Sequence, residues 1–282
     1  MEPESLATTL ILMSAMMHAV WNAAVRRSPD RFATVVFVTS FGGLLYIPFI
    51  GFAPLPSADL WPWIGASAFS HLGYQLCLAR MMDKGALTLV YPIARGTGPM
   101  IVALFAFFFM ENGLRPAQLG AIIVLVLGIF LTARPAPSSS SDHRPAVFAA
   151  LATGLTIASY TIIDGIAVRR ADEALTFVLW SGITAAPMVF IVGLKQRGTQ
   201  MLTSSLKVWR QGLPASFMAH GGYALALFAF SLGELGEIAA LRETSIVFAT
   251  IIGALWLKEG TGPRRIAAIG LIALSALALK IV

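Results

Sequence analysis

Ten stretches of this chain stay apolar for about the length that a hydrocarbon core demands of a helix, roughly 20 residues. They run approximately over 6–25, 32–53, 60–80, 86–109, 116–133, 146–168, 174–194, 208–230, 236–257 and 264–281. Lipid offers no hydrogen-bond partner to an open strand edge, and the runs are too long for barrel strands, so each is expected to be a helix. The composition agrees. Hydrophobic residues make up 57% and charged residues 12%, and mean hydropathy is +0.78. A soluble domain could not cover itself with so little polar surface. The net charge of +6 does not call for nucleic acid, because Lys and Arg of membrane proteins gather in loops. A single cysteine, Cys77, lies in an apolar run and excludes an intrachain disulfide framework or a Cys-based zinc cluster. The N-terminus, Met1-Glu2-Pro3-Glu4-Ser5, lacks the basic region of a signal peptide. The first apolar stretch is therefore expected to be a retained span.

The ten stretches fall into two sets. His71-Leu72-Gly73-Tyr74-Gln75-Leu76-Cys77-Leu78 and His220-Gly221-Gly222-Tyr223-Ala224-Leu225-Ala226-Leu227 both read H-x-G-Y-x-L-x-L, 149 residues apart. Glu111 and Glu259 each follow a long apolar helix at an offset of 148, and Pro116 and Pro263 each open the next helix at 147. Thr34 and Thr176 open the second helix of each set at 142; a long loop from Lys195 to Lys207 would absorb the difference. Arg134-Pro135-Ala136-Pro137 and four serines, Ser138 to Ser141, read as a linker. The expected fold is an all-α membrane protein of ten transmembrane helices in two five-helix repeats, 1–134 and 146–282, joined by a linker at 135–145. Five is odd, so tandem copies enter the membrane in opposite directions. This inverted repeat is the arrangement by which many secondary transporters place a site at the midplane. The odd-numbered loops hold 14 Lys and Arg, the even loops and termini 4, which places the odd loops in the cytoplasm and both termini outside.

Ionisable side chains within spans are costly, and each is a functional candidate. Arg95 lies in Tyr91-Pro92-Ile93-Ala94-Arg95-Gly96-Thr97-Gly98-Pro99, a helix that its prolines and glycines should loosen. Tyr91 and Arg95, four apart, share a face. At an offset of 148, Arg95 maps onto Glu243. Two readings follow. Either Arg95 holds an anionic substrate group while Glu243 holds an ammonium group or a proton, or the two form an ion pair that locks the halves together. Arg242 is expected to point elsewhere on its helix, towards a headgroup, a helix terminus or the cavity. His18, Trp21 and Asn22 share one face of the first helix, suited to substrate contact or to hydrogen bonds between helices. Tyr74 and Tyr223 are expected to flank the cavity. His71 and His220 should bond locally to those tyrosines. Tyr160 and Asp164 share a face of the sixth helix; Asp164, close to Arg169 and Arg170, reads as interfacial. Glu111 and Glu259 suit capping or gating, and Trp61, Trp63 and Trp209 suit the interfacial belt. The candidate substrate-binding set is Arg95, Glu243, Trp21, Tyr91, Tyr74, Tyr223, His18, Asn22 and Tyr160. The candidates for proton coupling are Glu243, His18, His71 and His220. No metal or cofactor is called for, and no nucleotide-binding loop or nucleophile elbow is present in the sequence.

The two five-helix repeats, each with a Glu closing its fourth helix, resemble the drug/metabolite transporter superfamily, and more narrowly its EamA-type members. The segments His18-Ala19-Val20-Trp21-Asn22, Tyr91 to Pro99 and Leu241-Arg242-Glu243-Thr244-Ser245 carry the resemblance. It implies a central cavity lined by helices one, three, four, six, eight and nine. Small multidrug exporters of the superfamily use a membrane Glu in the first helix for proton exchange, and this sequence has none there. The expected function is secondary transport, in the export direction, of small polar metabolites such as amino acids, related zwitterions or organic anions. The setting is a bacterial inner membrane, the protein a monomer or homodimer without nucleic-acid partners. The alternatives are an intramembrane lipid-modifying enzyme and a flippase for lipid-linked headgroups.

Overall fold

The computed structural model describes residues 2–84, 87–110, 114–133, 144–255 and 262–282, with the side chains of 79 and 82–88 set aside. Glu111, Glu259 and nearly all of the linker lie outside the described residues. The described elements are all helical: α1 (Pro3–Arg27), α2 (Arg31–Leu44), a 3-10 turn (Ile47–Phe52), α3 (Trp61–Lys84), α4 (Leu87–Phe109), α5 (Pro116–Leu131), α6 (Arg144–Arg170), α7 (Ala174–Arg197), α8 (Gln200–Leu232), α9 (Leu235–Arg242), α10 (Ser245–Leu255) and α11 (Pro263–Ile281). Among them, seven segments are long and apolar enough to cross a membrane, the second formed by α2 and its 3-10 turn and the last by α9 and α10 together. α5 is a shorter apolar helix. Proline opens α1, α5 and α11, where its missing N–H costs nothing.

Three expectations need correction. The second span does not stay α-helical to 53; it tightens into a 3-10 turn after Leu44, where Pro48 cannot donate to a helical ladder. The segment expected as a loop from Lys195 to Lys207 is helical except for a turn around Gly198, which adopts φ 59° and closes α7. That conformation suits glycine. α8 is consequently 33 residues long, about 50 Å, and reaches well beyond a hydrocarbon core. Third, the ninth apolar stretch is broken. α9 ends at Arg242, Glu243 and Thr244 form i→i+3 turns, and α10 starts at Ser245. The Thr244 hydroxyl donates to the Leu241 carbonyl at 2.7 Å, a local bond that competes with the helical ladder. α4, by contrast, stays helical through Pro92 and Pro99.

Packing crosses between the two halves of the chain. α1 lies along α8 and α3 along α6; α2 packs on α7, α4 on α6 and α9, and α5 on α11. Small residues set these approaches. A Cβ on Gly98 would sit 2.6 Å from Ile157 Cγ2, and one on Gly154 2.6 Å from Thr97 Cβ, so α4 and α6 meet glycine against side chain in both directions. The Ser14 hydroxyl of α1 donates to the Gly222 carbonyl of α8 at 2.6 Å.

At one end of the bundle, Asp30 caps α2 by accepting from the Ala33 amide at 3.0 Å and pairs with Arg197 of α7. Burial opposes its charge, but the Arg197 guanidinium and the Ala33 amide hold the Asp30 carboxyl below the usual carboxylate range. A depressed carboxyl contributes stability that is present above its unfolded pKa, near 3.9, and is lost as pH falls through the folded value. Asp30→Ala is expected to cost about 1 kcal/mol, mostly as the lost cap. Asp30→Asn, which keeps the cap, should cost only a few tenths, since a part-exposed ion pair is worth little. Thermal unfolding at pH 7 and near pH 3 checks this: the wild-type advantage over Asp30→Asn should shrink at the lower pH.

Candidate functional site

Ionisable side chains lie in the interior of the bundle around α4, α6 and the α9–α10 break: Arg95, Asp164, Arg242 and Glu243. Arg95 projects from the middle of α4 and is 6% exposed; Glu243, at the break between α9 and α10, is 3% exposed. Arg95 Nη2 lies 2.9 Å from Glu243 Oε2 and donates to Ser245 Oγ, also at 2.9 Å. The break thus presents a carboxylate and a hydroxyl to one guanidinium. The contact with Glu243 is a charge contact rather than an aligned hydrogen bond, and Arg95 Nε has no acceptor among the described residues. Both ends of the pair keep unused hydrogen-bonding capacity.

A second cluster joins α3, α6 and α8. Asp164 is 1% exposed. Its Oδ2 lies 3.0 Å from His71 Nε2 and accepts from the Tyr223 hydroxyl at 2.6 Å. His71 Nε2 is also 3.2 Å from that hydroxyl. Asp164 Oδ1 has no partner among the described residues. This corrects the interfacial reading of Asp164, and the expectation that each histidine bonds to its own tyrosine. His71 reaches across to Tyr223, whereas the His220 ring packs edge-on against Tyr46, 5.6 Å between centroids. The cause is the other half of the chain. Inverted copies meet different neighbours, and only α6 brings a carboxylate.

Aromatic rings connect the clusters. Tyr160 stacks on His71 at 4.3 Å and meets Tyr74 edge-on at 5.6 Å, while the charges of Arg242, Arg95, Glu243 and Asp164 all act on it. Arg242 also acts on His18 and Tyr74, and its Nε is buried without an acceptor among the described residues. Its guanidinium is thus within electrostatic reach of the aromatic centre, which sequence spacing did not settle. Tyr74, Tyr223 and His18 sit deep in the bundle yet are only partly buried, as side chains bordering internal space are. His18 and Trp21 pack edge-on at 5.4 Å. Asn22 donates back to the His18 carbonyl at 2.7 Å, so its amide is engaged by its own helix. Tyr91 lies one turn before Arg95 and is partly buried.

A separate cavity of about 460 Å³ opens at the end of the bundle where α1 begins and α11 finishes, bordered by Glu4, Arg169, Gly233, Glu234, Glu237 and Lys280. Lys280 Nζ binds Glu237 Oε1 at 2.7 Å, and Arg169 donates to the Gly233 carbonyl. Burial pushes the Glu234 carboxyl up, against the pull of Arg169. This space is distinct from the buried charges around Arg95. Among the described residues no cluster of His, Cys, Asp and Glu could hold a metal ion.

The fold and its buried charges define a multi-pass helical membrane protein. A family model described as the EamA-like transporter family matches residues 144–280. A solved structure titled "Crystal structure of protein" superposes with a TM-score of 0.73 at 15% identity, covering 99% of this chain and 97% of that one; at that identity the likeness concerns the fold. No curated protein matches by sequence. The resemblance to the EamA type of the drug/metabolite transporter superfamily is thereby borne out, carried by the match over residues 144–280. Members of that family are membrane transporters of small molecules.

Proposed function

We propose that this protein is a secondary transporter, working as an exporter, of small zwitterions or organic anions such as amino acids and their derivatives, in a bacterial inner membrane. The observation that carries the reading is the set of unfilled buried donors, Arg95 Nε and Arg242 Nε, at a helix break inside the bundle. Soluble cores leave few such groups unsatisfied, and in lipid-embedded helices they mark ligand sites. Arg95 and Arg242 hold the substrate's anionic group. Glu243 receives an ammonium group, and Tyr74, Tyr91, Tyr160, Tyr223, Trp21 and His18 form the walls; Asn22 contributes less, being bonded to its own backbone.

Ten spans in two inverted units, 1–134 and 146–282, give alternating access by rocking one unit against the other. The exchanged pairing supports this: the first helix of each unit packs on the third of the other (α1 on α8, α6 on α3), and α2 packs on α7 and α5 on α11 as like with like. The broken α9–α10 segment is the kind of discontinuous helix around which transporters build sites. With odd loops in the cytoplasm, the cavity near Glu234 and Lys280 is the external vestibule.

Thermal-shift screening of purified protein against a library of metabolites, followed by uptake into liposomes, tests the reading. Amino acids or small organic anions are expected to raise the unfolding temperature and to accumulate in liposomes. Stabilisation by hydrophobic cations alone would remove the assignment.

A further inference from the structure

We propose that Asp164, His71 and Tyr223 form the proton-binding site of this transporter, and that a proton taken up on His71 compensates the net negative charge of a bound organic anion, whereas a zwitterion calls for none. The proposal rests on the transport reading above and adds the coupling ion and its location.

The argument begins with charge balance. With imidazoles neutral, Arg95, Arg242, Asp164 and Glu243 cancel to zero. An uncompensated charge in this setting is expensive. An anion bound at Arg95 and Arg242 therefore leaves the interior with one negative charge in excess, and a proton is the smallest remedy. His71 is built to take it. Its Nε2 faces Asp164 Oδ2 at 3.0 Å, so Nε2 carries the hydrogen and Nδ1 is the basic atom. A proton added at Nδ1 converts the pair from carboxylate and neutral imidazole to carboxylate and imidazolium, with no bond broken. Tyr223 holds Oδ2 in place from α8.

The other groups around the site fit that role. α6 contributes Tyr160, stacked on His71; α3 contributes Tyr74, edge-on to Tyr160. Arg95 and Tyr91 come from α4, Arg242 and Glu243 from α9 and its end, and Tyr46 and His220 lie beyond Tyr223. α7 carries no ionisable side chain before Lys195. Tyr160 is the link: it touches His71 and lies in the field of both arginines. Occupation of the anion site and protonation of His71 are thus coupled, and the coupling is reciprocal. Because α3 belongs to the first half of the chain and α6 and α8 to the second, rocking of the halves would part His71 from Asp164 and Tyr223 and open the pair to one side at a time.

The test needs no substrate, because Arg242→Gln removes one positive charge and so imitates the arrival of an anion. The full chain carrying ¹⁵N-histidine is placed in liposomes, and the His71 signal, identified by its loss in His71→Gln, is followed by solid-state NMR from about pH 5 to pH 9, the range in which an imidazole can switch. His71 should change between neutral and charged forms within that range. In Arg242→Gln it should bind its proton about tenfold more tightly, one pH unit; in Glu243→Gln, about tenfold more weakly. Asp164→Asn should weaken it as well. A His71 that keeps one charge state throughout overturns the proposal, as does a midpoint that Arg242→Gln and Glu243→Gln both leave in place. A library that yields no ligand while His71 titrates as described would instead count against the transport reading.

Discussion

Arg95→Ala is expected to destabilise the protein by about 3–5 kcal/mol, the usual cost of stranding one partner of a buried ion pair, and to abolish transport. Glu243 would lose the cation it contacts, and Ser245 would lose its donor. Stability alone does not separate a lock between halves from a binding site, but the double variant Arg95→Met with Glu243→Leu does. Replacing both charges by apolar side chains of similar size removes the orphan, and such replacements are often neutral or stabilising. The double variant should therefore regain most of the lost unfolding temperature while remaining unable to take up the ligand found by screening. Recovery of uptake together with stability would make the pair a structural lock only.

Gly43→Ala is expected to cost about 1–3 kcal/mol, the range for overpacking a tight contact. A Cβ there would lie 2.3 Å from Ala186 Cβ and 2.6 Å from the Gly182 carbonyl oxygen, and neither atom can swing away. The α2–α7 crossing must widen, and Tyr46, seated over Gly182, must move with it. Gly120→Ala in α5 is the control. Nothing lies within 4 Å of its Cβ, and alanine is the better helix former by about 1 kcal/mol. Unfolding midpoints in detergent should fall for the first and hold or rise for the second. Equal midpoints would show that the α2–α7 approach is loose.

The interior site was only partly legible in sequence. Arg95 and Glu243 were found because an ionisable residue in a long apolar run has few cheap explanations, and the repeat offset paired them before their contact was known. Asp164 was misread. Its distance from Arg169 and Arg170 along the chain suggested the membrane boundary, but α6 is 27 residues long and its buried face carries Asp164 inward against α3 and α8. The available signal was its i, i+4 relation to Tyr160, the spacing that flagged His18 and Asn22. For Arg242 the sequence leaves headgroup, helix terminus and cavity open, because a helix wheel assumes a continuous helix, and the helix ends there.

The repeated His and Tyr show the limit most clearly. One motif, read twice, implied one role. In the fold His71 meets a carboxylate, while His220 lies over Gly42, where a Cβ would come within 1.8 Å of its ring, and beside Tyr46. Hydropathy and backbone chemistry determined from sequence alone that this chain is a helical membrane protein, because lipid leaves an apolar segment few ways to satisfy its backbone. Motif repetition singled out the residues worth asking about. Which of them share a site was decided by tertiary packing. Partners such as His71, Asp164 and Tyr223 lie on three helices far apart in the chain, and no local period encodes the neighbours that an opposing half supplies.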